Sequence, residues 1–153
     1  MTGIKAIETE YAGYRFRSRL EARWAVFFDV AGVVWEYEKE GFDLGSAGWY
    51  LPDFWFPISQ MWAEVKPVAL TQAENEKVLA LARGGKPVLL LIGTPDNKPY
   101  YAMRHEGVDD DGKDYYKVVS ATCDYADRAS LAAKQARFEF GQSGAPSEWT
   151  RNG

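Results

Sequence analysis

The stretch that decides the fold is LPDFWFPISQMWAEVKP, from Leu51 to Pro67. It is rich in Trp, Phe, Leu, Ile and Val, yet it carries Asp53, Glu64 and Lys66. Charges among apolar neighbours are costly unless they are paired or hold a metal ion. Their presence in this stretch therefore indicates a paired or metal-binding role.

The spacing of these charges predicts that they converge. Residues 49–56 and 61–65 are expected to form two strands, each bounded by Gly or Pro, with 57–60 linking them as a hairpin. Side chains two residues apart in a strand share one face, so Glu64 and Lys66 point the same way. Ala63 and Val65 are expected to point the opposite way, into the core.

The flanking sequence predicts helices on both sides of this hairpin. Apolar residues at helical spacing predict a helix over 18–31, which ends at Gly32. Residues 33–44 are expected to form one strand, and a second strand that pairs with it stays an open alternative. Thr71 and Glu74 form a T-x-x-E capping box for a second helix that runs to about Arg83. The continuously apolar run 87–92 is typical of a strand that is covered on both faces.

The remaining chain predicts a hairpin, a helix and a tail. Residues 100–105 and 115–121 flank an acidic, glycine-containing turn and are expected to pair as an exposed hairpin. A third helix is expected from about Arg128 to Phe140, with Gly141 as its C-cap. The pattern predicts an α/β (α+β) fold with a mixed sheet flanked by helices. It is one domain over residues 1–141, followed by a flexible tail over 142–153.

Composition excludes several classes of protein. The single cysteine, Cys123, cannot form an internal disulfide, and the first residues lack a signal-peptide pattern. No apolar run approaches the ~20 residues that span a bilayer, so we expect a cytoplasmic protein without membrane contact. There is no P-loop and no G-x-G-x-x-G, so no nucleotide cofactor is expected. The net charge of −4 argues against nucleic-acid binding through bulk charge but allows a local basic patch.

The order αβββαβ, with Pro52-Asp53 and Glu64-Val65-Lys66 on adjacent predicted strands, resembles the PD-(D/E)XK nuclease superfamily. That resemblance covers about residues 18–92. Small phage-type members of the superfamily are similar in two further segments, RSRLEARWAVFFD near the start of the chain and QARFEFG near its end. It implies a restriction-endonuclease-like fold with an added C-terminal hairpin and helix. It also implies a Mg²⁺-dependent DNA endonuclease in which Mn²⁺ substitutes.

The proposed chemistry explains the residue types independently. Cutting a phosphodiester requires a hard cation held by oxygen ligands. Asp53, Glu64 and the backbone carbonyl of Val65 are the candidate ligands, and Lys66 is expected to orient or deprotonate the attacking water. Glu21 lies at the margin of the apolar stripe of the first helix, and the family resemblance implies that it also binds the ion, directly or through water.

A local basic patch precedes and enters the first helix. Its candidate DNA-binding residues are Arg15, Arg17, Arg19 and Arg23. Guanidinium groups suit phosphate oxygens, although exposed helix arginines also serve solvation and ion pairing, so both interpretations stay open.

Other interpretations of the chain also stay open. Asp53 after Pro52 is often only a turn residue, and Glu64 with Lys66 can be an ordinary ion pair. The chain could instead be a non-catalytic DNA-binding or protein-interaction module of the same fold, or an unrelated α/β interaction protein. A homodimer, in which two sites would cut both strands, is a further open alternative.

Overall fold

The computed structural model describes residues 7–121, 123 and 125–138. Its chain divides into two compact units. Of the described residues, the first comprises 7–33, 94–96, 123 and 125–138, and the second comprises 34–93 and 97–121.

Groups of strands are separated by helices of about three turns along the described residues. In order they are β1 (Thr9–Tyr11), β2 (Tyr14–Phe16), α1 (Arg19–Ala31), β3 (Glu36–Tyr37), β4 (Phe42–Asp43), a 3-10 turn (Gly45–Ala47), β5 (Trp49–Tyr50), β6 (Phe54–Phe56), β7 (Met61–Lys66), α2 (Gln72–Ala82), β8 (Val88–Ile92), β9 (Tyr100–Val108), β10 (Asp114–Ala121) and α3 (Ala126–Gln135).

The first unit contains α1, α3 and the hairpin β1–β2. The predicted helix α1 is confirmed at both ends. The Ser18 hydroxyl accepts a hydrogen bond from the Glu21 N–H, and Gly32 adopts φ 77° as the left-handed C-cap. Its buried face includes Trp24, Phe27 and Phe28, as the apolar stripe predicts. The antiparallel pairing of β1 with β2 is a finding that the sequence pattern did not predict.

The second unit is built on a six-stranded mixed sheet in the order β10-β9-β8-β7-β6-β3. The pair β7–β8 is parallel, and every other neighbouring pair in the sheet is antiparallel. The parallel pair is joined by α2, whose Thr71–Glu74 capping box is present as predicted. The mixed α/β fold class is therefore confirmed, whereas the restriction-endonuclease-like arrangement stays a prediction.

The core of this unit lies between α2 and one face of the sheet. Its buried residues include Trp55, Trp62, Val78, Leu81 and Val88. Burial of such side chains contributes about 1.5–3 kcal/mol each, so this face carries much of the stability of the unit. Ala63 and Val65 on the opposite face are buried as well, which means that β7 is covered on both sides.

Two sequence-based predictions about strands need correction. The stretch 49–56 forms two strands. Pro52 has no N–H to donate, and the Val65 N–H donates to the side chain of Asp53 and not to a main-chain carbonyl. The first of these strands, β5, pairs with β4 in a separate two-stranded sheet, so β4 is not the partner of β3. The predicted exposed hairpin is confirmed as β9–β10, and its pairing with β8 makes it part of the main sheet.

The predicted third helix also needs correction. It begins at Ala126 and ends at Gln135, because Ala136 is extended and the last carbonyls are taken by a side chain from another helix. The predicted C-cap Gly141 and the predicted tail 142–153 lie outside the described residues. Among the described residues, no helix has the length and hydropathy needed to cross a membrane.

Candidate functional site

The pairing of β6 with β7 brings the two predicted carboxylates together. Phe54 on β6 lies opposite Ala63 on β7. In the same register, the next residue on each side is Asp53 and Glu64, so these two residues face each other. The Asp53 Oδ2 atom accepts a hydrogen bond of 2.8 Å from the Val65 N–H. The Asp53 main-chain oxygen accepts another, of 2.9 Å, from the Glu38 N–H. Asp53 is therefore held by Val65 on β7 and by Glu38, which directly follows β3.

Glu64 is buried, with 7% of its surface exposed. Its Oε1 atom has no hydrogen-bond partner within the described part of the chain, and neither has the buried hydroxyl of Tyr50. Burial raises the pKa of Glu64, and the nearby Asp53 side chain, the Lys66 ammonium and the Tyr50 hydroxyl offset this only in part. Burial, followed by the negative charges of Glu64 and Asp53, also raises the pKa of Tyr50. A carboxylate oxygen left in this state is the natural place for a cation or a donor.

Lys66 lies between two glutamates at the end of β7. Its Nζ atom is 3.7 Å from Glu64 Oε2 and 2.5 Å from Glu74 Oε2. Burial acts to lower the pKa of Lys66, but the hydrogen bond to Glu74 and the charges of both glutamates together raise it. The ammonium group therefore stays protonated, which favours orientation and charge stabilisation over the alternative role of deprotonating water.

Glu74 and Tyr50 are members of this cluster that sequence reasoning missed. Glu74 Oε1 accepts the Thr71 N–H at 2.8 Å as part of the capping box, while its Oε2 binds Lys66. The hydrogen bond from Lys66, followed by that from Thr71, lowers the pKa of Glu74. The pairing of Glu74 with Lys66 was missed because the capping box alone accounts for a glutamate at position 74. No comparable signal marked Tyr50.

Glu21 lies on α1 in the first unit. It is buried, with 8% of its surface exposed, which agrees with its predicted place at the margin of the apolar stripe. Its participation in the metal site stays a prediction, as does that of the Val65 carbonyl. Within residues 7–121, 123 and 125–138, no group of three or more His, Cys, Asp and Glu side chains has the arrangement of a metal site.

The arginines of the predicted basic patch have different surroundings. Arg15 is 69% exposed at its side chain and lies 3.8 Å from Glu8 and 3.5 Å from Glu10. Arg17 is exposed and Arg19 is half-buried. Arg23 donates from one guanidinium nitrogen to the carbonyls of Ala133, Lys134 and Ala136 at 2.7, 3.3 and 3.2 Å, and its guanidinium lies over the Phe138 ring. Arg23 thus caps the C-terminus of α3, and the DNA contacts of all four arginines stay predictions.

The capping role of Arg23 leads to a stability prediction. Arg23→Ala leaves the last carbonyls of α3 without their charged donor, so we expect the free energy of unfolding to fall by about 2 kcal/mol. Arg19→Ala, one turn earlier on α1, is the matched control and should change stability by less than half as much. Chemical denaturation measures both. Equal losses in the two variants would contradict a specific cap at α3.

The remaining basic residues lead to a binding prediction. Arg17→Ala and Arg19→Ala should weaken DNA binding across all sequences and flatten its dependence on salt, as expected when phosphate contacts are lost. Fluorescence anisotropy over a series of salt concentrations measures the slope. Lys113→Ala, in the exposed β9–β10 turn, controls for the change in net charge. A slope unchanged from that of the parent protein would place the DNA elsewhere.

The second unit thus brings together two carboxylates and a protonated lysine, with a tyrosine and a second glutamate beside them. Because Asp53 and Glu64 come from adjacent strands, the cluster is held by the sheet and not by a loop. Comparison with known proteins adds no relative: no protein-family model, no curated protein and no solved structure matches this chain.

Proposed function

We propose that the protein is a metal-dependent endonuclease that hydrolyses DNA phosphodiesters, with Mg²⁺ as its ion and Mn²⁺ as a substitute. The observation that carries this proposal is the buried Glu64 Oε1 atom without a hydrogen-bond partner, on the strand paired with that of Asp53. A buried carboxylate oxygen without a partner is costly, and a bound cation relieves that cost. Oxygen donors are the ligands that Mg²⁺ prefers, so the residues fit the ion.

Each residue has a separate task in this proposal. Asp53 and Glu64 would hold the ion, with the Val65 carbonyl as a further ligand. When bound, the ion polarises the phosphate and lowers the pKa of a water molecule. Lys66 donates hydrogen bonds to the attacking water or to a phosphate oxygen and stays charged throughout. Glu74 holds the Lys66 ammonium in place, and the arginines at 15, 17 and 19 contact the DNA backbone.

Metal binding and cleavage together test this proposal. Millimolar Mg²⁺ should raise the melting temperature of the parent protein, because a ligand of the native state stabilises it. Glu64→Gln should lose that increase, whereas Glu76→Gln, at an exposed position on α2, should keep it. A panel of labelled DNA structures should then be cleaved by the parent protein and not by Glu64→Gln. No shift with Mg²⁺ or Mn²⁺ and no cleavage would contradict the proposal.

A non-catalytic DNA-binding or interaction module of the same fold is the second candidate. The observation that favours it is the contact of 2.5 Å between Lys66 and Glu74, which gives the lysine a structural partner. This candidate predicts DNA or protein binding that is indifferent to metal. The same melting and cleavage measurements therefore distinguish the two functions.

A further inference from the structure

Trp49 is an exposed aromatic side chain one residue from the candidate cluster. Successive residues of a strand point to opposite sides, so Tyr50 of β5 faces the carboxylates while Trp49 faces the solvent. Trp49 is 63% exposed, whereas Tyr50 is buried. A single exposed aromatic residue is ordinary in itself, so the surroundings of this ring decide its meaning.

The indole ring of Trp49 lies against a glycine. Gly41, just before β4, contacts the six-membered part of the ring. A β-carbon at position 41 would come 2.8 Å from the ring carbons Cε2 and Cη2, which is too close for two carbon atoms. The missing side chain of Gly41 therefore lets the ring pack on the main chain and stay exposed. A ring ordered in this way loses little freedom when it binds a ligand.

Lys77 places a positive charge beside both this ring and the cluster. Its Cε atom is 3.9 Å from the position of a β-carbon on Gly48, the residue before Trp49. Lys77 also follows Glu74 by three residues on α2, so their side chains lie on one side of the helix. Lys77 is half-buried, and no ion pair joins it to another described residue. Unlike Lys66, which has two glutamate partners, it can therefore bind an anion from outside.

An exposed aromatic ring and a lysine beside a carboxylate pair have a common ligand in a strand of nucleic acid. Bases stack on aromatic rings, and phosphates bind ammonium groups. Neighbouring base pairs cover the faces of each base inside a duplex, so an indole ring stacks on an unpaired or a terminal base. The net charge of −4 also favours a ligand that is bound partly by stacking, because duplex binding depends mainly on phosphate neutralisation.

We propose that Trp49 and Lys77 bind the single-stranded part of a DNA substrate next to the phosphodiester at Asp53 and Glu64. Lys77 contacts a phosphate beside the cleaved bond, and Trp49 stacks on a base a few nucleotides along the strand. The inference rests on the proposed function and adds the class of substrate, which is single-stranded DNA, either free or as an extension of a duplex.

Binding without metal tests this surface separately from cleavage. A labelled single strand and a blunt duplex of the same sequence are compared in EDTA by fluorescence anisotropy. The parent protein should bind the single strand about tenfold more tightly, as expected for one stacked base. Equal affinity for the two DNAs would overturn the inference, even in a protein that cleaves DNA. A preference for the single strand without any cleavage would support this surface and contradict the endonuclease instead.

A variant without the ring locates the effect. Trp49→Ala should lower affinity for the single strand by about tenfold and leave affinity for the duplex unchanged. Trp49→Phe should recover part of the loss, because it restores a smaller aromatic ring. Ile58→Ala truncates another apolar side chain, which is 80% exposed in the link between β6 and β7, and should bind like the parent protein. Equal losses in Trp49→Ala and Ile58→Ala would contradict stacking on Trp49.

A variant at Gly41 tests the position of the ring without removing it. The β-carbon of Gly41→Ala displaces the indole, so affinity for the single strand should fall toward that of Trp49→Ala. Affinity for the duplex should stay at the parental value. Parental affinity of Gly41→Ala for the single strand would show that the position of the ring does not matter and would overturn its role as a stacking surface.

A lysine variant keeps the inference falsifiable if the Trp49 and Gly41 variants do not fold. Lys77→Ala should weaken binding of the single strand and lower the slope of log affinity against log salt by about 0.7, as expected for one phosphate contact. Lys113→Ala makes the same change in charge in the exposed β9–β10 turn and should leave the slope closer to that of the parent protein. Equal changes of slope in the two variants would show that only net charge matters and would overturn the specific role of Lys77.

Discussion

Glu64→Gln is expected to lower the single-turnover rate of DNA cleavage by about a thousandfold at saturating Mg²⁺, because the ion loses a charged ligand. The same variant should be more stable than the parent protein by about 1 kcal/mol at neutral pH without metal, since a neutral amide replaces a buried carboxylate with an unpartnered oxygen. Loss of activity with a gain in stability is the signature of a functional residue that strains its surroundings.

The pH dependence of this gain follows from the direction of the pKa shift. Burial raises the pKa of Glu64 in the folded state above its ordinary value of 4.5. Below this ordinary pKa, Glu64 is protonated in both the folded and the unfolded state and does not lower the free energy of unfolding. As the pH rises from there through the raised pKa, the folded parent protein loses stability that Glu64→Gln keeps. The gain should therefore be larger at pH 8 than at pH 4, and a gain independent of pH would contradict this account.

Asp53 requires a different substitution. Its Oδ2 atom accepts the Val65 N–H, so Asp53→Ala leaves a partly buried donor without its acceptor and should weaken the fold as well as cleavage. Asp53→Asn retains an oxygen at this position and should lose cleavage with little loss of stability. Denaturation of both variants separates the two effects. Full activity in Asp53→Asn would remove this residue from the metal site.

Lys66→Ala should lower the cleavage rate by about 10²- to 10⁴-fold while metal affinity is kept or increased. The Lys66 ammonium lies 3.7 Å from Glu64 Oε2, so its removal eliminates a positive charge that competes with the metal ion. Lys66→Arg should restore little, because a planar guanidinium does not reproduce a compact ammonium. Single-turnover cleavage and metal titration of the same variants are the measurements.

Two further variants control this experiment. Lys113→Ala, in an exposed turn, should cleave at the parental rate. Glu74→Gln should lower the rate less than Lys66→Ala does, because the lysine loses its closest partner but remains beside Glu64. Cleavage by Lys66→Ala within a few-fold of the parent rate would leave the lysine as an ordinary partner of two glutamates.

Features governed by neighbouring residues were predictable from the sequence. The ends of α1 follow from Ser18 and Gly32, and the start of α2 follows from Thr71 and Glu74, because a cap is a contact within one helical turn. The opposition of Asp53 and Glu64 was predictable for a related reason. One short hairpin sets the register, and the register fixes which side chains meet.

Features governed by distant contacts were not predictable from local pattern. The end of α3 depends on Arg23, more than a hundred residues earlier, whose guanidinium takes the last carbonyls. The division of 49–56 into two strands depends on the pairing of β5 with β4 and on the side chain of Asp53. The burial of Glu64 likewise depends on how other elements pack against the sheet. Strand periodicity alone predicts only that Glu64 and Lys66 share one face.

The main members of the candidate cluster, Tyr50, Asp53, Glu64, Lys66 and Glu74, lie in one continuous stretch of the chain. A cluster encoded this way is modular: its geometry depends on one hairpin, the start of one helix and their packing. The turn at 109–112, at the far end of the β9–β10 hairpin, is exposed and separate from that stretch. We therefore expect this turn to accept an inserted peptide or reporter domain while the cluster keeps its geometry.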